Sequence, residues 1–145
     1  MGMVREILAN KGVHVYCIGK NATVLQAACV MNEHRIGALV VMDHDQVAGI
    51  FTERDVLQRV VAEQRDPVTT RVEEVMSPDV VCCTPQTTIE EARGAMKNRR
   101  LRHLPVIGAD GKLHGLISIG DLNAYQEASH EQTLFLLHEY LYGRA

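Results

Sequence analysis

The sequence has no tryptophan, and aromatic residues make up only 4% of its 145 positions. Any core must therefore be built from aliphatic side chains. No apolar run reaches the roughly 18 residues that span a bilayer, so no membrane association is expected. A basic excess is also missing: 15 Lys and Arg stand against 18 Asp and Glu, for a net charge of −3. Nucleic acid is thus not the expected partner, since proteins that bind it usually carry a basic excess or patch. The four cysteines, Cys17, Cys29, Cys82 and Cys83, form no C-x-x-C pair, and no histidine spacing completes a zinc site. Three of them lie in apolar stretches, which points to small buried thiols. There is no P-loop, no nucleophile–base pair and no metal constellation, so an enzyme is not expected. Residues 1–12 carry charges and lack the apolar centre of a signal peptide. Gly2 does not begin a myristoylation motif, because position 6 is Glu6 rather than Ser or Thr. A cytoplasmic location is the expectation.

What is present is a repeat. Gly49-Ile50-Phe51-Thr52-Glu53-Arg54-Asp55 returns, altered, as Gly115-Leu116-Ile117-Ser118-Ile119-Gly120-Asp121. Each copy is an apolar run opened by glycine, which reads as a buried strand. Each ends in a hydroxyl residue with aspartate three positions on, the pattern of a capping box at a helix start. A helix N-terminus offers unpaired N–H groups and the positive end of the dipole, which suit an anion such as phosphate. The flanks repeat as well. Thr23-Val24-Leu25-Gln26-Ala27 recurs 65 positions later as Thr88-Ile89-Glu90-Glu91-Ala92, and Leu39-Val40-Val41 as Leu104-Pro105-Val106. Val4-Arg5-Glu6-Ile7-Leu8 recurs as the lead-in Val72-Glu73-Glu74-Val75-Met76. A unit of about 60 residues buries its own apolar face poorly, whereas two units packed together bury it well.

In chain order, residues 13–18 read as a short strand, and Thr23 as the cap of a helix with Val24, Ala27, Ala28 and Met31 on one buried face. Gly37 reads as the stop of that helix. Residues 38–42 and 47–51 read as two strands joined by the turn Asp43-His44-Asp45-Gln46. The helix after Thr52 carries Val56, Leu57, Val60 and Val61 as its expected apolar face. In the second unit, residues 80–83 read as the short strand, 88–99 as the helix, 104–107 and 113–117 as the strand pair. A last helix from Ser118 keeps an apolar side past Leu141. The expected division is a first repeat at 4–62, a linker at 63–70, a second repeat at 71–128 and a C-terminal helical tail at 129–145. The fold class is α/β (α+β), a strand-helix-strand-strand-helix unit made twice.

With these motifs in order, the chain resembles a tandem pair of cystathionine-β-synthase (CBS) domains, also called a Bateman module. The two corner motifs carry the resemblance, supported by Arg102-His103-Leu104-Pro105-Val106 and by Val72-Glu73-Glu74-Val75-Met76-Ser77-Pro78. It covers roughly residues 4–125, and implies two pseudo-twofold β-α-β-β-α units packed sheet to sheet with two clefts between them. It also implies an adenosine-type ligand (AMP, ADP, ATP, S-adenosylmethionine or NAD), a homodimer, and a regulatory role towards a separate protein target. No catalytic cofactor and no metal are implied.

Carried over by motif, the first cleft uses Thr52, Arg54 and Asp55, facing Val80, Leu101, Arg102 and His103. The second uses Ser118 and Asp121, facing Val15, Ile36, Gly37 and Ala38. In such modules the aspartate accepts ribose hydroxyls, and the hydroxyl residue contacts ribose or phosphate. The second corner has Ile119-Gly120 where the first has Glu53-Arg54. The first cleft is therefore the one expected to prefer phosphorylated ligands. The plainer reading of each corner is a capping box and nothing more, and of Lys97, Arg99, Arg100 and Arg102 a solvated basic face. A dimeric scaffold with ligand-free clefts is the alternative function.

Overall fold

The computed structural model describes residues 2–11 and 15–128. The expected tail at 129–145, with positions 13 and 14 of the expected first strand, lies outside the described residues. The order is α1 (Val4–Lys11), β1 (Cys17–Gly19), α2 (Val24–His34), β2 (Ala38–Asp43), β3 (Gln46–Thr52) and α3 (Glu53–Asp55). α3 widens directly into a π-helix, Val56–Val61. Then follow α4 (Val72–Val75), α5 (Ile89–Arg99), β4 (His103–Ile107), β5 (Leu113–Ser118) and α6, helical over the described residues 119–128.

The first sheet has order β1-β2-β3, with β1 parallel and β3 antiparallel to β2. β2 is the central strand, and Ala38, Leu39, Val40 and Val41 are all buried, as a continuous apolar run predicts. The second sheet is the antiparallel pair β4-β5. Both hairpins shift register at equivalent places, between Val41 and Met42 and between Val106 and Ile107. Helices α2 and α5 both open on reciprocal capping boxes, Thr23 with Gln26 and Thr88 with Glu91.

Two aliphatic cores result. One holds Val24, Ala27, Met31, Leu39, Val41, Phe51 and Val60, completed by Val72 and Val75 of α4. The other holds Ile89, Ala92, Met96, Leu104, Val106, Ile117 and Leu122, completed by Val4, Ile7 and Leu8 of α1. Each lead-in helix thus packs on the repeat that it does not introduce. Val4 N–H donates to Thr87 O, Ile89 N–H to Gly2 O, and Tyr125 Oη–H to Glu6 Oε2 at 2.5 Å. In the same way Val72 N–H donates to Ala22 O, and Val24 N–H to Thr70 O. Burying the three aliphatic side chains of α1 contributes roughly 6 kcal/mol before ordering costs.

The close crossing of the lead-in segments explains both corner glycines. A Cβ on Gly49 would stand 2.6 Å from Ser77 O and 2.7 Å from Met76 Sδ. One on Gly115 would stand 2.5 Å from Leu8 Cδ2. Leu8 and Met76 are themselves equivalent in the repeat.

Several expectations change. The helix stops are Arg35 and Arg100, left-handed at φ 53° and 55°, and not Gly37. Their N–H groups cap the helices by donating to carbonyls of the last turn, Met31 and Asn32 for one, Met96 and Lys97 for the other. Residues 80–83 do not form a strand; Cys83 alone makes a parallel bridge, to Val106. Pro78 and Pro85 bracket this segment, and Val80 N–H turns back to Pro78 O. The first strand is shorter than expected, although Tyr16 O still accepts from Val40 N–H. Among the four thiols only Cys83 is buried, and burial pushes it up to about 12. Leu57 and Val61 are 63% and 61% exposed rather than part of the apolar face. In the widened helix Ala62 N–H donates five residues back, to Leu57 O. Val56 and Val60 form the inward column there, and Leu57 and Val61 turn out.

Candidate functional site

At the first corner, β3 ends in Thr52, which is extended at φ −124° and ψ 165°. Its Oγ1 accepts from Asp55 N–H at 3.3 Å. In return Asp55 Oδ2 accepts from Thr52 N–H at 2.9 Å and from the Thr52 hydroxyl at 3.2 Å. Asp55 is 7% exposed, one of two buried polar residues among those described. Its other oxygen, Oδ1, faces Arg59 Nε at 3.8 Å, beyond hydrogen-bonding distance. Arg59 is fixed elsewhere, because its Nη1 donates to Val75 O and Met76 O at the end of α4. Arg54 is exposed on the first turn.

The second corner repeats the cap. Asp121 Oδ2 accepts from Ser118 N–H at 2.8 Å, and Ser118 Oγ accepts from Asp121 N–H at 3.1 Å. Here the countercation comes from another element. Lys11 Nζ, at the end of α1, donates at 2.7 Å to Asp121 Oδ2 and at 2.7 Å to Leu116 O. Burial pushes the Asp121 carboxyl up, but the Lys11 ammonium and the Ser118 bonds outweigh it and hold it below its ordinary value.

Backbone bonds tie each corner to the hairpin beside it. Glu53 N–H donates to Gly37 O at 3.0 Å, and Thr52 lies opposite Ala38 in the ladder. Equivalently, Ile119 N–H donates to Arg102 O at 2.9 Å, and Ser118 lies opposite His103. So Gly37 and Ala38 are brought to the first corner, and Arg102 and His103 to the second. His103 also links the two: its imidazole lies within electrostatic reach of Lys11, Asp121, Arg102 and, from the first corner, Glu53. Burial first, and Lys11 next, lower its pKa. Gly37 gives Glu53 room, since a Cβ there would stand 3.1 Å from Glu53 Oε1. Ile36 and Leu101 are half-buried and pack against the first and second cores respectively. Val15 and Val80 are half-buried and held by local contacts, Val15 O with the Cys17 thiol and Val80 N–H with Pro78 O.

Sequence reasoning missed Lys11 and Arg59. Arg59 had a readable signal, an acid–base pair at i,i+4 with Asp55. Lys11 had none, because 110 positions separate it from Asp121. Chemically, both caps use the same carboxylate oxygen, Oδ2. An ionised carboxylate accepts vicinal hydroxyls through charge-assisted bonds. Among the described residues no group of three or more His, Cys, Asp or Glu side chains is placed to hold a metal ion. No helix there is long and apolar enough to cross a membrane.

Known proteins match this chain across both repeats. The CBS domain family model matches twice, at residues 4–62 and 72–127. A 17.7 kDa protein of Acidianus ambivalens is 43% identical over 109 residues, which are 74% of this chain and 65% of that protein. This chain therefore spans just under two-thirds of that relative. The CBS domain-containing protein YhcV of Bacillus subtilis is 34% identical over 131 residues, 90% of this chain and 89% of its own. Among solved structures, a protein with CBS domains from Burkholderia ambifaria aligns with TM-score 0.82 and 43% identity. That alignment covers 87% of this chain and 94% of the other.

Proposed function

The chain belongs to the CBS-domain family, and from that premise we propose that its paired corners bind an adenine nucleotide and report its level to a separate protein. The ligand class is AMP, ADP, ATP or NAD, and the role is that of an energy or metabolite sensor. One observation carries the reading. Two buried or half-buried carboxylates stand at helix starts beside a hydroxyl, and the cap of each uses only Oδ2. In the first corner, Oδ1 has no hydrogen-bond partner among the described residues. That oxygen is the acceptor for a ribose diol. In this proposal Thr52, Arg54 and Asp55 serve the first cleft with Gly37 and Ala38 beside them, and Ser118 and Asp121 serve the second with Arg102 and His103 beside them; Val15, Ile36, Val80 and Leu101 line the clefts. For regulation to follow, the ligand has to bind one arrangement of the protein better than another.

A homodimer is part of this proposal. Leu57, Val61, Leu25 and Val68 are 63%, 61%, 44% and 58% exposed, and all belong to the first repeat or the segment after it. Leu25 N–H donates to Pro67 O, which places Leu25 beside the loop carrying Val68. A second copy of the chain would cover such apolar side chains. The same observation favours the second reading, a dimeric scaffold with ligand-free clefts.

Thermal unfolding with AMP, ADP, ATP, NAD and S-adenosylmethionine in separate samples tests the choice. A ligand at 100 times its dissociation constant adds about 2.7 kcal/mol, a shift of several degrees for a chain of this size. A shift with one ligand that disappears in Asp55→Ala supports the sensor. No shift with any of the five supports the scaffold.

A further inference from the structure

The two corners differ in where their countercation comes from. Arg59 sits on the same helical segment as Asp55, stands 3.8 Å away, and is pinned by the carbonyls of Val75 and Met76. Lys11 reaches Asp121 from α1, a helix that belongs in sequence to the opposite end of the chain. Its ammonium sits 2.7 Å from the carboxylate oxygen, and its side chain is 39% exposed. Besides Asp121 it holds one carbonyl, that of Leu116. A flexible stem with one compact charge can swing from carboxylate to another acceptor without moving the backbone.

We propose that Lys11 makes the second corner selective for phosphorylated nucleosides over bare ones. This rests on the nucleotide reading above. Lys11 and the cap both use Asp121 Oδ2, so a ribose diol that spans both carboxylate oxygens competes with the ammonium. With adenosine, the displaced ammonium is left to water and its bond to Asp121 is lost. With a nucleotide, the phosphate accepts the released ammonium, so one charge-assisted bond replaces another. Lys11 thereby supplies the cation that Ile119-Gly120 fails to supply where the first corner has Arg54. It acts as a specificity residue, and its source in α1 means that ligand identity at the second corner is felt at the end of α1.

Calorimetric titration of AMP and adenosine into the full chain tests this, in an Asp55→Ala background that leaves the second corner to be read. With Lys11 present, AMP binds and adenosine binds much more weakly. In Lys11→Met, the AMP-to-adenosine preference falls by about tenfold, the scale of one bond to a charged group. The fall comes partly from tighter adenosine binding. Lys11→Arg keeps the preference, and guards against misreading a folding defect. If Lys11→Met binds both compounds with an unchanged ratio, the inference is wrong while the nucleotide reading stands. If no protein in the series, including the unmodified chain, binds either compound or ATP, the nucleotide reading fails and the inference falls with it.

Discussion

Gly49 and Gly115 occupy equivalent places in the repeat, yet alanine at the two positions should have unequal effects. At Gly49 the added Cβ would meet Ser77 O at 2.6 Å. That is roughly 0.7 Å inside an ordinary C···O approach of about 3.3 Å. The obstacle is backbone, and it is held by a reciprocal pair: Ile50 N–H to Ser77 O at 3.1 Å and Ser77 N–H to Ile50 O at 2.9 Å. Relief requires the strand and the α4 exit to separate. Two hydrogen bonds of about 1 kcal/mol each are then weakened, and overpacking adds about 1–3 kcal/mol. Removing a glycine from a strand returns about 0.5–1 kcal/mol. The net cost is about 3 kcal/mol. At Gly115 the three nearest atoms all belong to the Leu8 side chain, the closest being Cδ2 at 2.5 Å. A rotamer change there costs about 1 kcal/mol, largely offset by the loss of glycine. Urea and thermal unfolding of the two variants check this. Gly49→Ala should lower Tm by about 10 °C and Gly115→Ala by about 3 °C or less. Equal losses, or the larger loss at Gly115, would refute the claim that the α4 crossing is the tighter one.

Other outcomes follow from the same geometry. Asp55→Ala should weaken nucleotide binding more than Asp121→Ala, because Asp121 already holds Lys11; comparable losses by calorimetry would contradict the ranking. The Asp121 carboxyl sits below its ordinary value in the folded chain. Its stabilising share is present above the unfolded value, about 3.9, and is lost as pH falls through the folded value. The stability gap between the unmodified chain and Lys11→Met should therefore shrink as urea titrations move from pH 5 to below pH 3. Arg100→Gly should raise stability by about 0.5–1 kcal/mol, since Arg100 holds φ 55° at a helix end where glycine bears no Cβ penalty. Leu57→Asp with Val61→Lys should convert a dimer to monomer in sedimentation while the circular dichroism spectrum of the fold persists, because both side chains are exposed in the single chain. A dimer that persists would place the interface elsewhere.

Local chemistry was legible from the residues alone. The caps at Thr23, Thr52 and Ser118 each span only three residue steps of chain, and all three form, with one of the same kind at Thr88. The central strand follows from the continuous apolar run at 38–42, and the buried face of α2 from periodicity, both properties of sequence spacing. The repeat itself was readable, and with it the mixed α/β architecture. The π-helix after Asp55 was not, because the pattern of Val56, Leu57, Val60 and Val61 suits an α-helix equally well. The stop of α2 at Arg35 was misassigned to Gly37, since helix termini pull ordinary residues into the left-handed region when their N–H groups find carbonyls to cap.

Only tertiary structure decided which lead-in helix completes which core. Both carry the same apolar pattern, and either repeat offers an aliphatic surface of the same kind, so composition cannot choose between them. That exchange then decides the electrostatics of the site. Because α1 crosses to the second repeat, Lys11 arrives at Asp121, and the corner that lacks a cation in sequence holds one. The charges a chain carries are written along it. Which of them meet depends on which apolar surfaces pack together.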